Sequence, residues 1–228
     1  MRFGTATFIT DEGIRPDALG RALEERGFGS LFIAEHSHIP ASRETPHPGG
    51  GELPRIYYRT LDPFVALTAA AAVTSRLVLG TGIVLLPQRD VIHTAKQVAS
   101  LDLVADGRTA FGVGIGWNRE EMRNHGTDPA TRGARMDEQL AALKAIWTSD
   151  EAEFHGAHVD FDPIFAWLAE QGRENVPITV FAAPPDPAAL IGFAEAGVDE
   201  ITLSLDTLPE AETLRALDDF AQLAARHR

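Results

Sequence analysis

The sequence predicts an α/β fold built on a parallel sheet, and three observations carry that expectation. First, short β-rich runs alternate with amphipathic segments of helical spacing along the 228 residues. Second, an apolar run over 77–86 is followed by Val91, Ala95, Val98, Leu101 and Val104 at helical spacing, and then by a second run over 109–113. Strand, helix, strand at this spacing is a βαβ unit whose strands are parallel. Third, Gly, Pro and Asp punctuate the joints, and no repeat of solenoid length interrupts the alternation.

The elements follow in order. Residues 2–9 alternate and are rich in Phe, Thr and Ile, which is the pattern of a first strand. Pro16 suits the first turn of a helix reaching Arg26, with Leu19, Ala22 and Leu23 on one face; Gly27 and Gly29 break it. Residues 30–34 form a second strand that ends in Glu35-His36-Ser37-His38. Residues 39–61 are a Pro- and Gly-rich loop, and a loop this long in a compact domain marks a lid or a mobile segment. Asp62-Pro63 opens a helix through Val73. Pro87 closes the third strand because its ring nitrogen has no hydrogen to donate. Asp90 caps the following helix, and Gly107 suits its left-handed C-terminal cap. A short acidic helix after Asn118, a longer one over 132–147 and a hairpin over 153–161 come next. A helix over 165–171, a strand over 178–181 and a helix over 187–196 ended by Gly197 precede a strand over 201–205 and a final helix over 208–225.

Composition narrows the function. The absence of cysteine excludes disulfides, thiolate metal sites and a cysteine nucleophile. EHSH lacks the helical HExxH spacing, so no metal site is expected. A net charge of −13 argues against nucleic acid or an anionic membrane as partner. The charge is uneven: residues 151–228 hold 15 acidic and 4 basic side chains, against 18 and 16 in residues 1–150. An anionic ligand therefore meets less repulsion in the N-terminal part. The start, MRFGTATFIT, has no basic segment followed by a long apolar one, and the most apolar helix is too short to span a bilayer. The expectation is a cytoplasmic protein acting on a small molecule.

GTGIVLLPQRDVIHTAKQVASLDLVADGR followed by FGVGIGWNREE resembles the bacterial luciferase-like monooxygenase superfamily, and more narrowly its branch using the deazaflavin coenzyme F420. AEHSHIP at 34–40 and PITVFAAPPDPAAL at 177–190 extend the resemblance. It implies one TIM-barrel-like (β/α) domain over residues 1–228 and an oxidoreductase that exchanges hydride between F420, or alternatively FMN, and a small organic substrate. Six barrel strands are credible here, near residues 2, 30, 77, 109, 178 and 201. Relative to the family, roughly two βα units are missing near 165–168, among them a Gly-rich turn that helps bind the cofactor phosphate. Two alternatives follow: a non-catalytic, vestigial flavin-binding protein, and an FMN-dependent monooxygenase. The missing units would leave sheet edges exposed near 161–178 and an apolar patch at Phe161, Ile164, Phe165 and Trp167, so a homodimer is expected whose interface, or the helix over 165–171, covers them.

In such a barrel the reactive groups lie at the C-terminal ends of the strands. Glu35 and His36 end the second strand, Gly82 and Ile83 lie late in the third, and Gly114, Gly116, Trp117 and Asn118 end the fourth. Phe181 and Ala182 end the strand that starts near 178. Glu35 and His36 are the catalytic candidates, with His36 the proton-transfer group because histidine titrates near neutrality, and the resemblance places a histidine or an acid there. The resemblance also implies a non-proline cis peptide at Gly82-Ile83, beside the cofactor ring. Gly112, Gly114 and Gly116 give GxGxG, not the GxGxxG of a dinucleotide turn, and fit a strand end that lets a planar ring approach the backbone. Asn118, Arg119 and Glu120 would open a helix whose N–H groups face an anion. Arg89 and Lys96 read as solvated cations, His38 as a loop residue, and His47, His93, His125 and His155 belong to no pattern.

Overall fold

The computed structural model describes residues 2–165, 179–183 and 200–227, with 179–183 by backbone alone. Six strands build one parallel sheet: β1 (Arg2–Thr7), β2 (Ser30–Ile33), β3 (Val78–Thr81), β5 (Thr109–Ala110), β9 (Thr179–Ala183) and β10 (Glu200–Ser204). Their order is β5-β3-β2-β1-β10-β9, the succession of neighbouring strands around a barrel. These are the six positions read from the sequence. Among the described residues the sheet is an open arc with β5 and β9 outermost, so the fold is a barrel-type α/β sheet that is not closed. Registers such as Thr5↔Leu31, Leu31↔Leu79 and Phe3↔Ile201 bring the C-terminal ends of the central strands to one side.

The third and fourth strands are each broken in two. β3 stops at Thr81, the Gly82–Ile83 peptide is cis as the resemblance implies, and β4 (Val84–Leu85) resumes. It pairs with β6 (Val113–Gly114) in a separate parallel ladder. Thr81 makes the junction: its hydroxyl donates to the Gly112 carbonyl at 2.8 Å and accepts from the Gly112 N–H at 2.9 Å. A Cβ on Gly112 would sit 2.3 Å from the Thr81 carbonyl oxygen, so only glycine lets the strands approach this closely.

The helices follow the expected faces with small shifts. α1 (Pro16–Glu25) buries Leu19, Ala22 and Leu23, and Gly20 lets it pack tightly on Ala70 of α3 (Pro63–Ala71). The long loop after β2 contains one helical turn, α2 (Ile56–Arg59). Asp90 caps as expected, accepting from His93 N at 2.8 Å, and Asp62, at the expected start of its helix, caps it by accepting from Val65 N at 3.0 Å. α4 (Val91–Val104) buries Val91, Ala95, Val98 and Leu101, but Val104 faces solvent. Its place in the core is taken by Ala105, because the cap ending at Gly107 (φ +74°) turns the chain there. α5 (Arg119–Asn124), α6 (Arg132–Thr148), the hairpin of β7 (Ala152–His155) and β8 (Asp160–Ile164), and α7 (Glu210–His227) complete the described chain. Phe165 is exposed, whereas Phe161 and Ile164 pack partly against the core. Of the helix expected over 165–171 only Phe165 is described, and it is not helical; the rest of that helix, the helix expected over 187–196, and Trp167 lie outside the described residues. Among the described residues no helix is long and apolar enough to cross a membrane.

Candidate active site

A cavity of about 680 Å³ opens at the C-terminal ends of the strands. Glu35 and His36 after β2, Gly82 and Ile83 at the break of the third strand, Gly114 at the end of β6, and Gly116 and Trp117 beyond it all line it. Ala6 and Thr7 of β1, Phe8 beyond it, Ser204 at the end of β10, and Leu205 to Thr207 after it line the cavity too. Thus seven of the candidate residues converge on one wall although 82 positions separate Glu35 from Trp117. Phe181 and Ala182 belong to β9, whose side chains lie outside the description.

Asn118 departs from expectation. It is 2 % exposed, does not line the cavity, and spends its side-chain oxygen capping α5 at Glu121 N, 3.3 Å away. The start of α5 is not an open anion site either. The N–H of Arg119 donates to Thr45 Oγ1 at 3.4 Å, and the buried Glu120 accepts from Thr45 N at 2.6 Å and from the Thr45 hydroxyl. Two carboxylates in the first turn already meet the positive end of the helix.

His36 is fixed by a residue that sequence reading passed over. Its Nδ1 lies 2.8 Å from Oε2 of Glu121, which is 0 % exposed. The other carboxylate oxygen accepts from Ser37 N at 3.0 Å and from Ser37 Oγ at 3.3 Å. Burial pushes the Glu121 pKa up, but the hydrogen bonds from His36 and from backbone N–H groups outweigh it and hold the carboxyl below its ordinary range. An ionised Glu121 requires a proton on His36 Nδ1, so Nε2 is the nitrogen left for chemistry. The network continues to the surface through Ser37 Oγ, which lies 2.6 Å from His125 Nε2 and 2.9 Å from His38 Nδ1. Burial, with help from neighbouring His38, lowers the His125 pKa.

Glu35 is differently engaged. Oε2 accepts from Leu85 N at 2.7 Å, and Oε1 accepts from Arg89 Nε at 2.9 Å and also from Arg89 Nη2. This carboxylate ties the end of β2 to the segment after the cis bond. Arg89 is therefore no solvated cation. Its side chain is 17 % exposed, bridges Glu35 to Asp62 at 3.2 Å and lies over the Phe64 ring at 4.9 Å. Burial of Glu35 demands a paired cation, which overrides the expectation of a free surface arginine.

Aromatic rings complete the wall. His36 contacts Trp117 edge-on at 5.7 Å between centroids and Tyr57 at 5.2 Å. His47 from the long loop contacts the same two rings at 6.0 and 5.4 Å. Tyr57, His47, Glu121 and His125 had no local sequence signal beyond a long loop and the acidic NREE. Their partners lie 10 to 88 positions away in the chain.

The profile of the luciferase-like monooxygenase family matches residues 15–228. An uncharacterized protein of Mycobacterium tuberculosis is 42% identical over 186 residues, covering 80% of this chain and 66% of the relative. An F420-dependent glucose-6-phosphate dehydrogenase of Beutenbergia cavernae is 29% identical over 171 residues, covering 73% of this chain and 45% of the relative. Among solved structures, the oxygenating constituent of 3,6-diketocamphane monooxygenase of Pseudomonas putida, a type II Baeyer-Villiger monooxygenase in complex with FMN, superposes with a TM-score of 0.60 at 18% identity. That match covers 100% of this chain and 63% of the structure. The chain thus spans about two thirds or less of the length of these relatives.

Proposed function

The chain belongs to the luciferase-like monooxygenase family, and from that premise we propose that it is an F420-dependent oxidoreductase acting on a small organic substrate. The observation that carries the reading is the cavity at the strand ends, which puts the Gly82–Ile83 bond, Trp117 and a carboxylate-fixed histidine on one wall. Its volume lies in the range of ligand pockets, about 300–1,000 Å³. Ile83, Ile115, Leu205 and Trp117 offer apolar surface to a planar ring, and His36 supplies a polar edge. The donor set suits a flavin-type ring. FMN is the alternative cofactor, and a non-catalytic flavin carrier is the alternative role.

A bound deazaflavin supplies hydride transfer. The protein's part is orientation and proton movement. The wall of Gly114, Gly116 and Trp117 sets the plane of the ring, and His36 Nε2 takes or gives a proton at the substrate. Glu121 stabilises the imidazolium so formed, and Ser37 with His125 leads the proton to solvent. Glu35 acts as a positioning residue that anchors the cis segment through Leu85 N. We place all of this in one domain spanning 1–228, with the family's missing units near 165–168 and a homodimer covering the open side of the sheet.

His36→Ala tests the assignment. Turnover is expected to fall by about 10²–10⁴ while the Kd for F420 changes little, because a proton-transfer group acts in the transition state. Equal loss of binding and rate would make His36 structural. Tighter binding of FMN than of F420 would overturn the cofactor preference.

A further inference from the structure

The ring cavity contains no Lys or Arg among its described lining residues, while Glu35 and Asp206 both border it. A flavin-type ligand carries phosphate or carboxylate groups, and nothing described in this cavity pairs with them. A second cavity of about 570 Å³ shares Gly116 and Trp117 with the first. Arg119, Arg123 and Arg132 form one side of it, and the loop from Glu44 to Pro48 the other. In a chain of net charge −13, this is a local concentration of cations directly beside the ring wall.

These guanidinium groups are weakly committed. The Arg119 side chain is exposed and forms no ion pair with a described carboxylate. Arg123 meets Glu44 at 3.1 Å, but both side chains are more than half exposed, so solvent screens the pair. Arg132 Nη1 donates to the Pro129 carbonyl at 2.6 Å, while its Nε is buried with no acceptor. A buried donor without a protein acceptor requires a partner, and an anionic ligand group is one that could supply it. The groove is also preformed. Glu120 holds Thr45 through its N–H and hydroxyl, which fixes the facing loop, and the same carboxylate is near enough to Arg123 to be held below its ordinary range in part by that charge.

We propose that the Arg119–Arg123–Arg132 groove is an oxyanion subsite, which receives a phosphate or carboxylate of a ligand at the adjoining ring cavity. The anion belongs either to the cofactor's own tail or to the substrate. The inference rests on the ring-binding reading above. Arginine suits the task because its planar fork matches two oxygens at once.

Ligand pairs that differ only in the anion test it: riboflavin against FMN, and the tail-free deazaflavin against F420. If the cofactor supplies the anion, the wild type binds FMN and F420 at least tenfold tighter than their phosphate-free counterparts, and salt reduces that advantage. Arg119→Gln and Arg132→Met abolish the advantage and leave the Kd for riboflavin and tail-free deazaflavin unchanged, which also shows that the variants are folded. If the substrate supplies the anion, the pairs bind alike, and inorganic phosphate binds to protein saturated with F420 in an Arg132-dependent manner. Equal binding within each pair, with no Arg132-dependent phosphate binding, overturns this subsite alone. Failure of all four ring compounds to bind overturns the ring reading and the subsite with it.

Discussion

Replacing Glu121 by Gln probes the residue on which the chemistry of His36 is argued to depend. The carboxylate is fully buried, and it accepts from His36 at 2.8 Å and from Ser37 at 3.0 and 3.3 Å. Glutamine fills the same volume and retains one acceptor oxygen, so packing is preserved and charge is removed. A hydrogen bond to a charged group contributes about 1.5–3 kcal/mol and a neutral one about 0.5–1.5 kcal/mol. The variant therefore loses about 1–2 kcal/mol at the step in which His36 becomes an imidazolium, and turnover falls roughly 5- to 30-fold. Stability changes with a definite sign. The Glu121 carboxyl is held below its ordinary value of 4.5, so its contribution is complete above that pH and is lost as pH falls through the lower folded value. Urea midpoints followed from neutral pH into the acid range should decline more steeply for wild type than for Glu121→Gln. Turnover matching wild type, or superimposable acid limbs, would refute the reasoning.

Glu24 gives an independent electrostatic test. Burial opposes its ionisation, but the N–H groups of Arg76, Leu77 and Ser75 and the Ser75 hydroxyl hold its pKa down to about 2 from 4.5. Screening at this partly exposed site reduces the roughly 3 kcal/mol of the full difference to about 1–2 kcal/mol. Glu24→Gln should lose that much stability at pH 7, and the difference should vanish as pH falls from 4.5 to about 2; a chemical-denaturation series checks both. Ser37→Ala cuts the link between Glu121 and His125 and should slow proton release, seen as a solvent isotope effect that grows relative to wild type; an unchanged effect removes Ser37 from the path. Sedimentation at micromolar concentration should show a homodimer, and a well-folded monomer would mean that the open sheet needs no partner.

Much of the fold was legible because its signals are local. Six strand positions, the helix start at Asp62-Pro63, the Asp90 cap and the Gly107 turn each rest on a few adjacent residues, and all stand in the structure. The cis bond at Gly82–Ile83 was implied by the family resemblance alone, whereas the convergence of Glu35, His36, Gly114, Gly116 and Trp117 on one cavity follows from strand ends meeting on one side of a parallel sheet. What stayed hidden is long-range side-chain pairing. Glu121 lies 85 positions from His36, and no spacing rule connects them. The same holds for Thr45 with Glu120, and it explains why a helix start that looked open to an anion is already closed. Asn118 has the right position for the cavity but turns inward, because capping α5 satisfies a buried N–H. Arg89 looked like a surface cation and is instead the partner that lets Glu35 be buried.

The central claim, that a deazaflavin ring occupies the cavity beside His36 and Trp117, is tested most directly by equilibrium titration of F420 against wild type and Ser204→Trp. Ser204 lines the cavity from an exposed position at the end of β10, so a tryptophan there fills the space without entering the core. One equivalent of F420 should bind to wild type with a shifted absorbance spectrum, and at least tenfold more weakly to Ser204→Trp. Equal affinity for the two proteins, or no binding to wild type, would contradict the account.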